Sequence, residues 1–160
     1  MTRVYLALGA NVGDAVENIR NAIALMSSAI HNIQEASLYA SKAVGYTDQP
    51  DFINTAIRGE TELSAEELLE FLKETEKKVG RIKRFRWGPR EIDIDIISYG
   101  DKVQYSENLT LPHPRYRDRD FVLVPLLELD SSFVDPETHQ NLHTLIEMLP
   151  ASQHSIIRKI

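Results

Sequence analysis

At 160 residues the chain has the length of one domain able to bury roughly 68–70% of its unfolded surface, and its 42% hydrophobic and 26% charged residues exclude a disordered or fibrous chain. The absence of cysteine excludes disulfides, thiolate metal sites and thiol nucleophiles, and agrees with a reducing, cytoplasmic setting. The net charge of −6 is uneven: residues 81–119 carry nine Lys/Arg against six Asp/Glu and the rest nine against eighteen, which speaks against a nucleic-acid partner and for a small anionic ligand held at one place.

The N-terminal apolar run is too short for a signal peptide, and no stretch approaches a membrane span, so no membrane partner is expected. Val4 to Leu8 reads as a strand ending at Gly9. Asp14 followed by Glu17 is a capping pair, and Val16, Ile19, Ile23, Met26 and Ile30 then share one helical stripe. Short period-two patterns over 33–40 and 52–58 predict two strands, separated by the irregular loop SKAVGYTDQPD. Ser64 and Glu67 form a second capping box ahead of a helix whose apolar face is Ala65, Leu68, Leu69, Leu72 and Val79, stopped by Gly80. Glu76 interrupts that stripe, where a charge needs a partner. Residues 92–98 return to strand, and Tyr99-Gly100-Asp101-Lys102 predicts a tight hairpin into Val103–Tyr105. Short helices are expected over Phe121–Leu129 and Leu142–Leu149.

The order strand, helix, strand, strand, helix, strand is the split βαβ pattern of a ferredoxin-like α+β sandwich, with helices packed on one side of a mainly antiparallel sheet. No repeat or linker divides it, so residues 1–160 are read as a single domain.

The segment RWGPREIDIDII concentrates the chemistry. On a strand Asp93 and Asp95 share one face while Ile92, Ile94 and Ile96 share the other. Carboxylates brought to about 5 Å in a medium of effective dielectric about 20 repel by about 3 kcal/mol. A divalent cation that also touches phosphate offsets this, and so do arginines; two solvated acids on an exposed face are the plain alternative. Arg81, Lys83, Arg84, Arg86 and Arg90 put five cations within ten residues, and Trp87, the only tryptophan, sits among them. That run is either a solvated loop whose Trp caps the core or a lid whose arginines fork onto phosphate oxygens. In LPHPRYRDRDF, His113 stands with Arg115, Arg117 and Arg119, a grouping better suited to phosphate contact than to general base work. No P-loop and no dinucleotide-binding glycine motif occurs, so an ATP site must be built from side chains. In QPDFINTAI, Phe52, Asn54 and Ala56 share a strand face, and an aromatic plate beside an amide suits a flat heterocycle. An Asn bonded to its own loop is the alternative.

Taken together, GRIKRFRWGPREIDIDII, LPHPR followed by RDF, and QPDFIN resemble the 6-hydroxymethyl-7,8-dihydropterin pyrophosphokinases of folate synthesis, in order over residues 4–130. The resemblance implies the ferredoxin-like fold and transfer of the β,γ-diphosphate of ATP to the hydroxymethyl group of a reduced pterin, with AMP released. It implies two Mg²⁺ ions on Asp93 and Asp95, which with Arg81 and Arg90 make up the catalytic set. ATP contacts fall on Lys83, Arg86, Trp87, Ile96, Leu109, Thr110, His113 and Arg119, with Trp87 on a closing loop. Pterin contacts fall on Ser41, Val44, Gly45, Phe52, Asn54 and Phe121. The partners are ATP and the pterin, in a monomer or weak homodimer. Lys83 stands where the family usually shows a second arginine, so either it or Arg84 takes a loop phosphate contact.

Overall fold

The computed structural model describes residues 1–160 and bears out the alternation of the first strand. β1 (Thr2–Ala10) turns Val4, Leu6 and Leu8 into one core and Tyr5 and Ala7 into another on the opposite face. It is flanked by β4 (Phe52–Thr61) and β5 (Asp93–Tyr99), both antiparallel to it. β2 (Ile30–Glu35) and β3 (Tyr39–Ser41) both pair with β4, and a C-terminal strand, β8 (Ile156–Lys159), adds to β3. The sheet order β5-β1-β4-β3-β8 is antiparallel throughout, with β2 beside β4.

α1 (Ala15–Met26) and α2 (Ala65–Val79) lie over the face of Val4, Leu6 and Leu8, burying Ile19, Ala22, Met26, Leu68 and Leu72. Both start where the caps predict: Asp14 accepts from the Glu17 N–H, and Ser64 and Glu67 satisfy each other's backbone N–H at 3.1 and 2.9 Å. The fold is ferredoxin-like, but the expectation of helices on one side covers only part of the chain. α3 (Asp120–Leu129) and α4 (Leu142–Glu147) pack on the other face, where Val122, Leu123, Leu126, Leu142 and Leu145 meet Tyr5, Ala7 and Ile97.

Two further expectations are corrected. The strand read over 33–40 divides into β2 and β3 at residues 36–38, where the Ser37 N–H turns to Glu128 of α3 at 2.7 Å instead of to the ladder. The turn at Tyr99–Lys102 forms, but no strand returns along β5. Gly100 donates to the Arg3 carbonyl, and β6 (Gln104–Tyr105) pairs with β7 (Thr110–Leu111) in a separate two-stranded ribbon.

What the fold prepares is a hollow. On the α3 face, β1 presents Tyr5, then Ala7, then Gly9, so the side chains shrink toward the strand's end. Register sets Asp95 opposite Ala7, and Asp93 and Asn54 on either side of Gly9.

Candidate active site

The hollow opens as a cleft of about 710 Å³, open solvent at its mouth included, lined on one side by Ser41, Val44, Phe52, Asn54 and Phe121 and on the other by Trp87, Arg90, Asp93, Asp95 and Arg119. The heterocycle half and the phosphate half of the sequence reading therefore share one cavity.

Asn54 is buried and donates to Ser41 Oγ at 2.6 Å across the β3–β4 pair. Its amide thus bonds a neighbouring strand and not its own loop. Its Oδ1 lies over Gly9, where a Cβ would come within 2.7 Å, so only glycine leaves the amide in place. Gly45 is not in the lining set but stands beside it, against the Trp87 ring.

Asp93 and Asp95 point into the cleft while Ile92, Ile94 and Ile96 enter the core under α2. Asp93 is bridged by two cations, Arg81 at 3.0 Å and Arg90 at 2.9 Å. Arg81 also reaches Glu76 at 2.7 Å, and Glu76 accepts the Ile94 N–H at 2.8 Å. This supplies the partner that Glu76 lacked in the sequence. Burial, ahead of the Asp93 charge, still pushes its carboxyl up, against the opposing pull of the Ile94 N–H and Arg81.

Asp95 is compensated far less. Its nearest cation is Arg119 at 3.8 Å, and the His113 Nε2 lies at 3.6 Å. Desolvation at the base of the cleft, followed by repulsion from Asp93, pushes its carboxyl up to about 7. His113 is positioned by a strand irregularity: a bulge in β5 frees the Ile97 carbonyl to accept the His113 N–H at 2.8 Å. Its Nδ1 accepts from the Arg115 N–H at 3.1 Å, which places the proton of the neutral ring on Nε2, facing Asp95. Desolvation and the charge of Arg119 push this imidazole down to about 4, so it faces the site as a neutral hydrogen-bond donor.

The three arginines after His113 diverge. Arg119 enters the cleft, Arg115 lies 4.9 Å from the centre of the Trp87 ring, and Arg117 turns away to the buried Asp135 at 2.7 Å. Trp87 takes φ 65 and its ring covers Gly45. Lys83 and Arg86 line a second, strongly cationic depression with Lys73, Lys77 and Arg81 between α2 and the loop of residues 80–92. Arg84 is held by a two-pronged bond to Glu91 at 2.7 and 2.8 Å, which leaves Lys83 as the freer of the two loop cations. Ile96, Leu109 and Thr110 do not line the cleft: Ile96 and Leu109 are buried in the core under α2, and Thr110 lies on β7. Two side chains that the sequence reading passed over join the loops around the site, Asn11 and Gln49; neither breaks a periodic pattern, so nothing local marks them.

The donor set fits a hard divalent cation. Two adjacent carboxylates face a cleft, one of them short of positive charge, with arginines placed for the phosphate that would complete the coordination.

A family model described as 7,8-dihydro-6-hydroxymethylpterin-pyrophosphokinase (HPPK) matches residues 5–131. The chain is 43% identical over 136 residues to the 2-amino-4-hydroxy-6-hydroxymethyldihydropteridine pyrophosphokinase of Aquifex aeolicus, covering 85% of each. It is 44% identical over 142 residues to the mitochondrial folate synthesis bifunctional protein of Pisum sativum, of which it spans only 28%. Among solved structures, a Plasmodium falciparum HPPK-DHPS superposes with a TM-score of 0.73 at 14% identity, over 91% of this chain and 43% of that one, a likeness of fold alone.

Proposed function

Since the chain belongs to the 7,8-dihydro-6-hydroxymethylpterin-pyrophosphokinase family, it is a pyrophosphokinase of folate synthesis, and we propose that its reaction runs in the cleft between Asn54 and the Asp93–Asp95 pair. The pterin hydroxyl oxygen attacks the β-phosphorus of ATP and gives up its proton to solvent, a new O–P bond forms, the bond from the β-phosphorus to the α,β-bridging oxygen breaks, and AMP leaves. The observation that carries this placement is the single cavity holding both a buried amide for a heterocycle and a carboxylate pair, Asp95 of it short of positive charge, for a metal-bound polyphosphate.

Ser41 and Asn54 would read the pterin edge, with Phe52, Phe121 and Val44 against its ring and Gly45 closing its side. Asp93 and Asp95 would hold Mg²⁺, which when bound neutralises the triphosphate and orients its β-phosphorus. Arg90 and Arg119, already in the cleft, are placed to take phosphate oxygens as their aspartates turn to the metal. His113 would donate its Nε2–H to a phosphate oxygen without adding charge, and Arg81 would keep β5 fixed to α2 through Glu76. We place the nucleotide's remaining contacts at Lys83 and Arg86 and at the backbone of Ile96, Leu109 and Thr110, since Ile96 and Leu109 bury their side chains in the core. No helix is long and apolar enough to cross a membrane; we propose a cytoplasmic, one-domain enzyme that is a monomer or weak homodimer.

The test is product analysis after incubation with ATP, Mg²⁺ and 6-hydroxymethyl-7,8-dihydropterin. AMP and a diphosphorylated pterin in equal amounts support the reading. Inorganic diphosphate with an adenylylated pterin, the outcome of a nucleotidyltransferase using the same aspartates, would overturn it.

A further inference from the structure

Resting on the reading that this cleft holds the pterin between Phe121 and the Ser41–Asn54 pair, we propose that Asp120 is a positioning residue that fixes the spacing of the pterin slot by gripping Ser155 at the start of β8. Asp120 does not line the cleft, so it acts through its neighbours. It is the first residue of α3, and the residues on either side of it, Arg119 and Phe121, do line the cleft. These two face inward, with the guanidinium 5.7 Å from the ring centre, while the Asp120 carboxylate is buried against the C-terminal strand.

An acid in the first turn of a helix ordinarily serves that helix's own free N–H groups and positive end. Asp120 gives its acceptors to another element. One oxygen takes the Ser155 N–H at 2.7 Å and the Ile156 N–H at 2.9 Å, and the other takes the Ser155 hydroxyl at 2.5 Å. Ser155 is itself buried, and its carbonyl accepts the Lys42 N–H at 2.9 Å. One serine thus joins the two walls of the slot. On one side is the backbone that carries Phe121. On the other is the end of β3, where Ser41 pairs with Ile156 and its hydroxyl accepts the Asn54 amide at 2.6 Å. A buried carboxylate left unpaired is costly, so the walls cannot draw apart without losing these bonds.

The grip reaches the pterin side alone. Arg119 is held from the opposite direction, by its N–H on the Tyr116 carbonyl at 3.1 Å, and Tyr116 is fastened to Asp135. Asp93 and Asp95 stand on β5, which β1 and β4 separate from β3. Loosening Asp120 therefore misplaces Phe121 and Ser41 and leaves the phosphate half as it was.

Steady-state kinetics with ATP, Mg²⁺ and 6-hydroxymethyl-7,8-dihydropterin, per folded molecule and well below each melting midpoint, tests this in wild type, Asp120→Ala, Asp120→Asn and Ser155→Ala. Ala removes both acceptor oxygens. Asn keeps one oxygen for the two N–H groups and turns its NH₂ to the serine hydroxyl, which then accepts. We expect Asp120→Ala to raise the KM for the pterin about tenfold, with the KM for ATP within about twofold of wild type. Asp120→Asn should restore both values to within about twofold of wild type. Ser155→Ala, which keeps the two N–H bonds, should raise the KM for the pterin about threefold. The proposal is overturned if Asp120→Ala leaves the pterin KM unmoved, if it raises both KM values equally, or if Asp120→Asn is as impaired as Asp120→Ala. Should Asp120→Ala fail to fold, Ser155→Ala decides: a rise confined to the pterin supports the grip and no rise overturns it. A wild-type protein without diphosphate transfer overturns the functional reading and this assignment with it, whereas wild-type turnover beside unmoved variants overturns the assignment alone.

Discussion

Asp95 and Asp135 are both aspartates held against arginine, and their surroundings are opposite. Asp135, fully buried behind α3, accepts from the Tyr116 hydroxyl, from Arg117 at 2.7 and 3.1 Å, and from the Glu137 and Thr138 N–H groups at 2.8 and 2.9 Å. Although burial alone would raise it, these bonds, those of Arg117 and Tyr116 foremost, hold its carboxyl down at about 2. Asp95 opens into the cleft with 32% of its side chain exposed, has no cation closer than Arg119 at 3.8 Å, and is pushed up to about 7. An acid whose lone pairs are all taken by the fold serves the fold. An acid left with unmatched charge beside a second carboxylate is available to a cation from outside.

The contrast breaks first at Asp95. Asp95→Ala should reduce turnover about a thousandfold, the scale of losing one preorganised electrostatic contact in a closed site. Thermal unfolding should be unchanged or raised, because the substitution relieves repulsion; a clear fall in melting temperature would place Asp95 with the structural acids.

Asp135→Ala should do the reverse, destabilising by about 3 kcal/mol because Arg117 and Tyr116 lose their buried partner, while the folded fraction keeps its rate. Denaturant titration beside activity per folded molecule checks both. The pH dependence has a definite sign. A carboxyl held lower in the folded than in the unfolded chain stabilises above its ordinary value and loses that contribution on acidification. From its usual 3.8 down to about 2, Asp135 should therefore give up on the order of 2 kcal/mol. Asp135→Asn should flatten the stability curve in that window alone.

Gly9→Ala sharpens the contrast at the other half of the cleft. The new Cβ meets Asn54 Oδ1 at 2.7 Å and must displace the amide, so kcat/KM for the pterin should fall about tenfold to a hundredfold, the range for a lost or misplaced hydrogen bond. The KM for ATP should move little. The smallest effect is expected at Arg84, whose bond with Glu91 lies at the surface. Arg84→Ala should leave thermal unfolding nearly unchanged, with a smaller effect on the KM for ATP than Lys83→Ala.

The parts of this site legible in the sequence are those with a local signature. Strand alternation separates Asp93 and Asp95 from the isoleucines around them, side-chain N-caps start both long helices, and Glu76 is conspicuous in an apolar stripe. What escapes reading depends on contacts between distant residues. β8 is defined only by its pairing with β3, and the Ser155 and Ile156 N–H groups that lead into it are held by Asp120 from α3. The return along β5 fails because Gln104 and Tyr105 pair with Thr110 and Leu111 and the Ile97 carbonyl of β5 takes the His113 N–H, pairings that no turn propensity encodes. Arg115, Arg117 and Arg119 are indistinguishable as residues of one cluster, yet their three partners, Trp87, Asp135 and Asp95, lie in three directions. Gln49 and Asn11 are ordinary loop amides until both loops are folded over the sheet.

A crystal structure of the chain with Mg²⁺, a non-hydrolysable ATP analogue and the pterin tests most directly whether the unmatched carboxylates gather the polyphosphate. We expect metal density about 2.0–2.1 Å from oxygens of both Asp93 and Asp95. The β-phosphate should lie between that metal and a pterin held by Asn54. Metal and triphosphate bound elsewhere, with the Arg81 and Arg90 pairs to Asp93 intact and Asp95 untouched, would contradict it.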